Sequence, residues 1–266
     1  MGVQKKKALF FVPHADDLEF GVSYACIEFL RAGYAVKEIL MTNCEYGIDR
    51  TDFKGPRLQD IRMKELDDAN QIYDFEIGNY PILRKMGYTD GFLPLNRSSI
   101  ERCKKLLSEE RPNIIFAPDP IFSIDFHDDH INTGRIPLLA LEELIDEYQP
   151  KAIFLYYTYN PNFRLKLQKG NLSIAINALK QHQSQISPRK LQALSKLLKL
   201  RQNIQIAING SPIQKLRKLN PQTRPLYQYS GEMNFKNQFL YDFYFHAANP
   251  SREVYYPTPK ELGIIN

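Results

Sequence analysis

Apolar residues along the first 160 positions come in two textures that alternate: short continuous runs, and longer stretches in which they recur every three or four residues. The runs "KALFFVP", "AVKEILMTNC", "NIIFAPDP" and "KAIFLYYTYN" read as buried strands. Between them, "FGVSYACIEFLRAG", "GPRLQDIRMKELDDANQIY", "RSSIERCKKLLSEERP" and "NTGRIPLLALEELIDEY" carry the helical repeat. Gly33 ends the first of these, and Asn132 or Thr133 supplies a cap for the last. "FEIG" gives a short further strand, followed by "NYPILRKMGYTDGFL" as a loop. Strands alternating with helices predict an α/β fold, a Rossmann-like, mostly parallel sheet flanked by helices on both faces.

Past Tyr159 the texture changes. "NLSIAINALKQHQSQI" and "SPRKLQALSKLLKLRQN" read as helices and "IQIAI" as a strand, while the aromatic, proline-containing end has little period. We read one domain over 1–266, with a core over 7–160 and a C-terminal elaboration over 161–266. Its 43% hydrophobic content suffices for a sizeable core. No internal repeat and no glycine-rich phosphate loop is present.

Composition narrows the classes. No apolar run reaches the roughly 20 residues that span a bilayer, and "MGVQKKKALFFVPH" passes from lysines straight into a strand, unlike a signal peptide. A cytosolic location is expected. Cys26, Cys44 and Cys103 are far apart and form no CxxC, so reduced, buried thiols are expected rather than disulfides or a thiolate zinc site.

The formal charge of +5 is unevenly spread, because no Asp or Glu lies between Tyr148 and Gly231, where 14 of the 35 basic residues fall. Within that stretch, Leu191, Leu194, Leu197, Leu198 and Leu200 make an apolar stripe opposite lysines. A helix packed on the sheet or on a second subunit is the plain account, and a homo-oligomer is compatible with it. Interfacial membrane contact would suit a lipid-linked substrate. No nucleic-acid partner is expected, since no recognition motif accompanies the charge.

Two polar clusters carry chemistry. "PHADD" follows the first strand and "HDDH" follows the strand at 113–120, which puts both on the carboxyl rim of a parallel sheet, where ligands bind. Adjacent carboxylates beside an imidazole call for a cation. Hydrolytic zinc takes three nitrogen or oxygen ligands and leaves room for water. His14 and Asp17 supply two, one histidine of "HDDH" the third, and Asp16 is left to accept a proton from water.

The paired motifs "PHADD" and "HDDHINTGR" resemble those of the LmbE-like (PIG-L) zinc-dependent N-acetylglucosaminyl deacetylases. So do "RMKELDDA", "DGFL", "RPNIIFAPDP" and "KQHQSQ", with "GEMNF" a looser match, so that the resemblance runs from about Ala8 to Phe235. It implies His14, Asp17 and His130 as ligands of one zinc ion per chain, with Fe2+ the alternative, and Asp16 as general base. It places His127 at the oxyanion or leaving amine, Asp129 behind an imidazole, and Arg62 on substrate hydroxyls or phosphate. Without the resemblance, Arg62 reads as a helix arginine paired with Glu65 or Asp68.

The implied reaction is hydrolysis of the N-acetyl group of an acetylated amino sugar: a glycoside, an aminoglycoside intermediate, a thiol precursor or a lipid-linked sugar. Three positions depart from the pattern. Ala15 replaces a proline, Leu18 precedes Glu19 where an acid usually follows the aspartate pair, and Asp125 replaces a substrate-contacting tyrosine. A non-catalytic sugar-binding protein of the same fold and a metal-dependent phosphoesterase are the competing readings. His182 and His246 carry no assigned role.

Overall fold

The computed structural model describes residues 5–48, 50–168, 170–222 and Leu226. In chain order these form β1 (Lys7–Val12), a π-helical turn (Leu18–Val22), α1 (Ser23–Arg31), β2 (Ala35–Thr42), a 3-10 turn (Thr51–Phe53) and α2 (Pro56–Ile77). Then come β3 (Ile82–Tyr88), α3 (Arg97–Glu110), β4 (Ile114–Pro118), α4 (Asp128–Leu144) and β5 (Ala152–Tyr156). The last are β6 (Phe163–Lys166), α5 (Asn171–Leu179), α6 (Pro188–Asn209) and β7 (Ile213–Leu219).

The strands lie in the order β3-β2-β1-β4-β5-β7-β6. β1 to β5 are parallel, whereas β7 runs antiparallel to β5 and to β6. The expected mostly parallel sheet is present. Because side chains alternate along a strand, β1 sends Ala8, Phe10 and Val12 into a core with α1, α2 and α5, and Leu9 and Phe11 into one with α3 and α4. Both faces are covered, which is why the run is continuously apolar. Phe10 stacks on Phe116 at 4.3 Å and is fully buried, a burial worth about 2–3 kcal/mol. All three cysteines are free and buried.

β1 lies between β2 and β4, and strand order reverses there. The loops after β1 and β4 therefore open side by side. α4 closes in over this rim because residue 134 is glycine: a Cβ there would meet the Pro118 carbonyl oxygen at 2.3 Å and Pro120 Cδ at 2.9 Å. That close approach seats the first turn of α4 at the end of β4.

Several elements differ from the pattern reading. "FEIG" is the last turn of α2, which stops at Gly78 with φ 72°. The adjacent strand is instead β3, inside the expected loop. As an edge strand it buries only Met86, so no clear alternation marks it. α4 begins at Asp128, inside "HDDH", with His127 as its cap rather than Asn132 or Thr133. "IQIAI" is helical, because α6 continues its period through it to Gly210. β6 alternates apolar and basic positions over only four residues, and β7 has its apolar residues at every third position, so neither carries a clear strand pattern. Glu232, the "GEMNF" match, His246 and the aromatic end lie outside the described residues. No described helix is long and apolar enough to cross a membrane.

Candidate active site

The loop leaving β1 folds back on itself. Pro13 presents its carbonyl oxygen to the Thr42 amide (3.2 Å) and hydroxyl (2.8 Å), and the Asp17 carboxylate accepts the His14 amide at 3.0 Å. Across the rim, the start of α4 places His127 and His130 three residues apart on one helical face.

Three atoms converge between the loops. His14 Nδ1 lies 3.2 Å from Asp17 Oδ2, His130 Nε2 lies 3.3 Å from His14 Nδ1, and His130 Nε2 lies 3.4 Å from Asp17 Oδ2. One proton can bridge only one edge of such a triangle, since each atom offers a lone pair. Tetrahedral zinc with bonds of about 2.0–2.1 Å holds its ligand atoms about 3.3–3.4 Å apart. The observed edges match that spacing, so these residues fit a metal ion without rearrangement. Among the described residues, this group and a second one, His14, His127 and Asp129, have the donor set for an ion.

Each corner of the triangle is braced from behind. His14 Nε2 meets Asp129 Oδ2 at 3.3 Å and Asp90 Oδ1 at 3.1 Å. Asp129 is itself held by the amides of Gly91 (2.6 Å) and Leu93 (2.9 Å), and Asp90 by those of Tyr46 (2.9 Å) and Gly47 (3.0 Å). Tyr157 donates its hydroxyl to Asp17 Oδ1 at 3.0 Å and stacks on His130. Asp125 Oδ2 stands 3.1 Å from His130 Nδ1, although the ring N–H is not aimed at it. Such outer partners fix tautomers and ring orientation.

The electrostatics show a shortage of positive charge. Burial acts to lower the pKa of His14, yet hydrogen bonds to Asp129, Asp17 and Asp90 outweigh it and raise it well above the ordinary value. Burial likewise opposes ionisation of Asp17 and Asp90, but the neighbouring imidazoles pull both well below the usual carboxylate range. An ion in the triangle would supply what the His14 proton otherwise provides.

Asp16 and His127 flank this group. Arg62, buried on α2, donates from Nη2 to Asp16 Oδ1 at 2.5 Å. It pairs with neither Glu65 nor Asp68. A Cβ on Gly47 would meet its Nη1 at 2.8 Å, so a side chain there would push on the Arg62 guanidinium. His127 caps α4 by accepting the Asp129 amide on Nδ1 at 3.2 Å. That bond places the ring proton on Nε2. Burial first, then the His14 charge, lower its pKa, which keeps the ring neutral. His127 is therefore an Nε2–H donor, and the protonated form would have to break the cap.

His182 has a structural place: Nε2 meets Glu19 Oε2 at 3.1 Å, and Tyr73 donates to the other Glu19 oxygen at 2.9 Å. Sequence reasoning missed Asp90 and Tyr157. Asp90 sits in "TDG", which reads as an ordinary turn, and Tyr157 directly follows β5 with φ 55°, a left-handed conformation unusual for tyrosine.

A model of the GlcNAc-PI de-N-acetylase (PIG-L) family matches residues 9–141, the span from β1 through most of α4. The chain belongs to the PIG-L family. The diacetylchitobiose deacetylase of Thermococcus kodakarensis is 25% identical over 193 residues, covering 68% of this chain and 70% of that one. Among solved structures, the N,N'-diacetylchitobiose deacetylase from Pyrococcus horikoshii, complexed with its inhibitor, superposes with a TM-score of 0.71 at 23% identity. It covers 82% of this chain and 85% of that one. GalB, the 4-carboxy-2-hydroxymuconate hydratase of Pseudomonas putida, shares the fold at 12% identity and a TM-score of 0.64, with 86% and 100% covered. Both PIG-L motifs, "PHADD" and "HDDH", fall inside the matched span.

Proposed function

We propose that this PIG-L protein is a metal-dependent hydrolase that removes the N-acetyl group from an N-acetylglucosaminyl-containing small molecule, with zinc as its ion. A hydratase has the same fold, so the side chains of the site, and not the topology, decide the reaction. The observation that carries it is the triangle of His14, Asp17 and His130 with a second, non-bridging carboxylate, Asp16, beside it. A site that only binds sugar has no use for that carboxylate. A two-metal phosphoesterase usually needs more carboxylate ligands than the triangle offers.

An ion held by His14 Nδ1, Asp17 Oδ2 and His130 Nε2 would polarise the amide carbonyl and acidify the attacking water. Asp16 takes the proton from that water, its carboxylate aimed by Arg62. His127 donates from Nε2 to the carbonyl oxygen as that oxygen gains charge; loss of one such donor commonly costs about 100- to 1000-fold in turnover. Because neutral His127 has no other proton to give, Asp16 returns its proton to the departing nitrogen. Acetate and the free amino sugar leave. Arg62 serves first to hold Asp16, and Asp129 and Asp90 hold His14.

The relatives named diacetylchitobiose deacetylase support an acetylated glucosaminyl substrate. The test is acetate release from diacetylchitobiose and a panel of other N-acetylglucosaminyl glycosides, lipids and aminoglycosides, with ion-free protein and with protein reloaded with zinc. Zinc-dependent release from one member is expected. Tight binding of one ion without release from any member would favour the sugar-binding reading.

A further inference from the structure

α6 is a 22-residue helix with no buried residue. Most helical stability in proteins comes from the apolar face a helix packs against its surroundings. Leu194 and Leu198 face the body, where they line one wall of a 320 Å³ cavity shared with Tyr157 and α5. The unspent apolar surface lies about 100° round the helix from that wall. At about 100° per residue, Ala193, Leu197, Leu200, Ile204 and Ile208 fall within an arc of about 80°. Leu197 is 62% exposed, Leu200 58%, Ile204 51% and Ile208 75%.

Charge decides what can cover this strip. Arg189 and Lys196 border it on one side and Lys190 and Arg201 on the other, Arg201 at the rim of the cavity that Leu194 and Leu198 line, and α6 has no acidic residue. Among the described residues, no ion pair engages any of these four cations. A second copy laid along the strip would bring like charges together along both borders with no carboxylate between them. Nucleic acid would meet the cations but not the leucines and isoleucines. An apolar strip edged by long cationic side chains matches a helix lying in a lipid interface, apolar face down, with the charges reaching outward to headgroups.

We propose that α6 is a peripheral docking surface for anionic lipid bilayers, seated through Leu197, Leu200, Ile204 and Ile208 with Lys190, Lys196 and Arg201 on phosphate headgroups. The proposal is independent of the reaction assigned to the site.

The experiment is co-sedimentation of the full chain with phosphatidylcholine vesicles and with vesicles also containing phosphatidylglycerol, at low and high salt. Binding to the anionic vesicles alone, weakened by salt, is expected. Each cation near an anionic surface is worth about fivefold in partition, so Lys196→Gln with Arg201→Gln lowers it by roughly thirtyfold. Leu197→Glu with Ile204→Glu abolishes it, with circular dichroism unchanged. Light scattering on the same samples tests self-association. Failure of the folded parent chain to bind anionic vesicles overturns the proposal, as does a dimer that Leu200→Glu dissociates.

Discussion

Replacing Tyr157 by Phe removes one hydroxyl and leaves the ring on His130 and the backbone unchanged. That hydroxyl donates to Asp17 Oδ1, the oxygen turned away from the triangle. A hydrogen bond to a charged group is worth about 1.5–3 kcal/mol. In the ion-free protein, Asp17 keeps the His14 amide and both imidazoles as partners. With an ion bound through Oδ2, both imidazoles turn from Asp17 to the ion, so the Tyr157 bond to Oδ1 matters more to the carboxylate than it does in the ion-free protein. Zinc affinity should then drop, by up to roughly 150-fold if the whole bond is lost from the ion-bound state alone.

Competition against a chromogenic chelator measures this directly. Tyr156→Phe is the control, because its hydroxyl goes to the Phe11 carbonyl and not to the site. It should lower stability and leave zinc affinity alone. An affinity for Tyr157→Phe within about twofold of the parent would refute the reasoning, since the Asp17 ligand would then need no brace.

Asp16→Asn should keep the ion and lose most acetate release, whereas Asp17→Ala or His14→Ala should lose the ion itself, read as zinc per chain after dialysis. Gly134→Ala forces a methyl against the Pro118 carbonyl and should destabilise by about 3 kcal/mol in a denaturant melt, with zinc affinity falling alongside. Glu38 is fully buried on β2 and neither of its carboxyl oxygens is hydrogen-bonded; burial first, then Glu19 and Asp17, raise its pKa well above the ordinary value. The folded state thus holds this proton more tightly than the unfolded one, so its stabilising contribution is present below about pH 4 and lost as pH rises through the folded value. Glu38→Gln should raise the Tm at neutral pH, with the gain closing toward acid; a constant difference across the series would count against this account.

The central strands were legible because burial on both faces makes β1, β4 and β5 continuous apolar runs and β2 one broken only by Lys37 and Glu38. β3, β6 and β7 were not, since edge and antiparallel strands bury less and their pattern blurs into loop composition. The same ambiguity turned "IQIAI" into an expected strand when the helical period simply ran on. At the site, His14, Asp16, Asp17, His127, Asp129 and His130 stood out by clustering within two short motifs, and the structure brings them to one rim. Arg62 was visible, but its partner was not: Asp16 is 46 residues away in sequence, while Glu65 and Asp68 are near. Asp90 and Tyr157 join through contacts that no local spacing encodes.

The distance in sequence between His14 and His130 also bears on how the proposed ion would be acquired. They are 116 positions apart and meet only because β4 pairs with β1. Until β4 and the start of α4 have left the ribosome, a nascent chain offers His14 and Asp17 alone, two donors where a stable site wants three. Loading of such an ion would therefore follow closure of the central sheet, a contact of high sequence separation and slow formation. Once bound, it would tie the first strand to the fourth, so the same event that arms the site would also hold the centre of the sheet together.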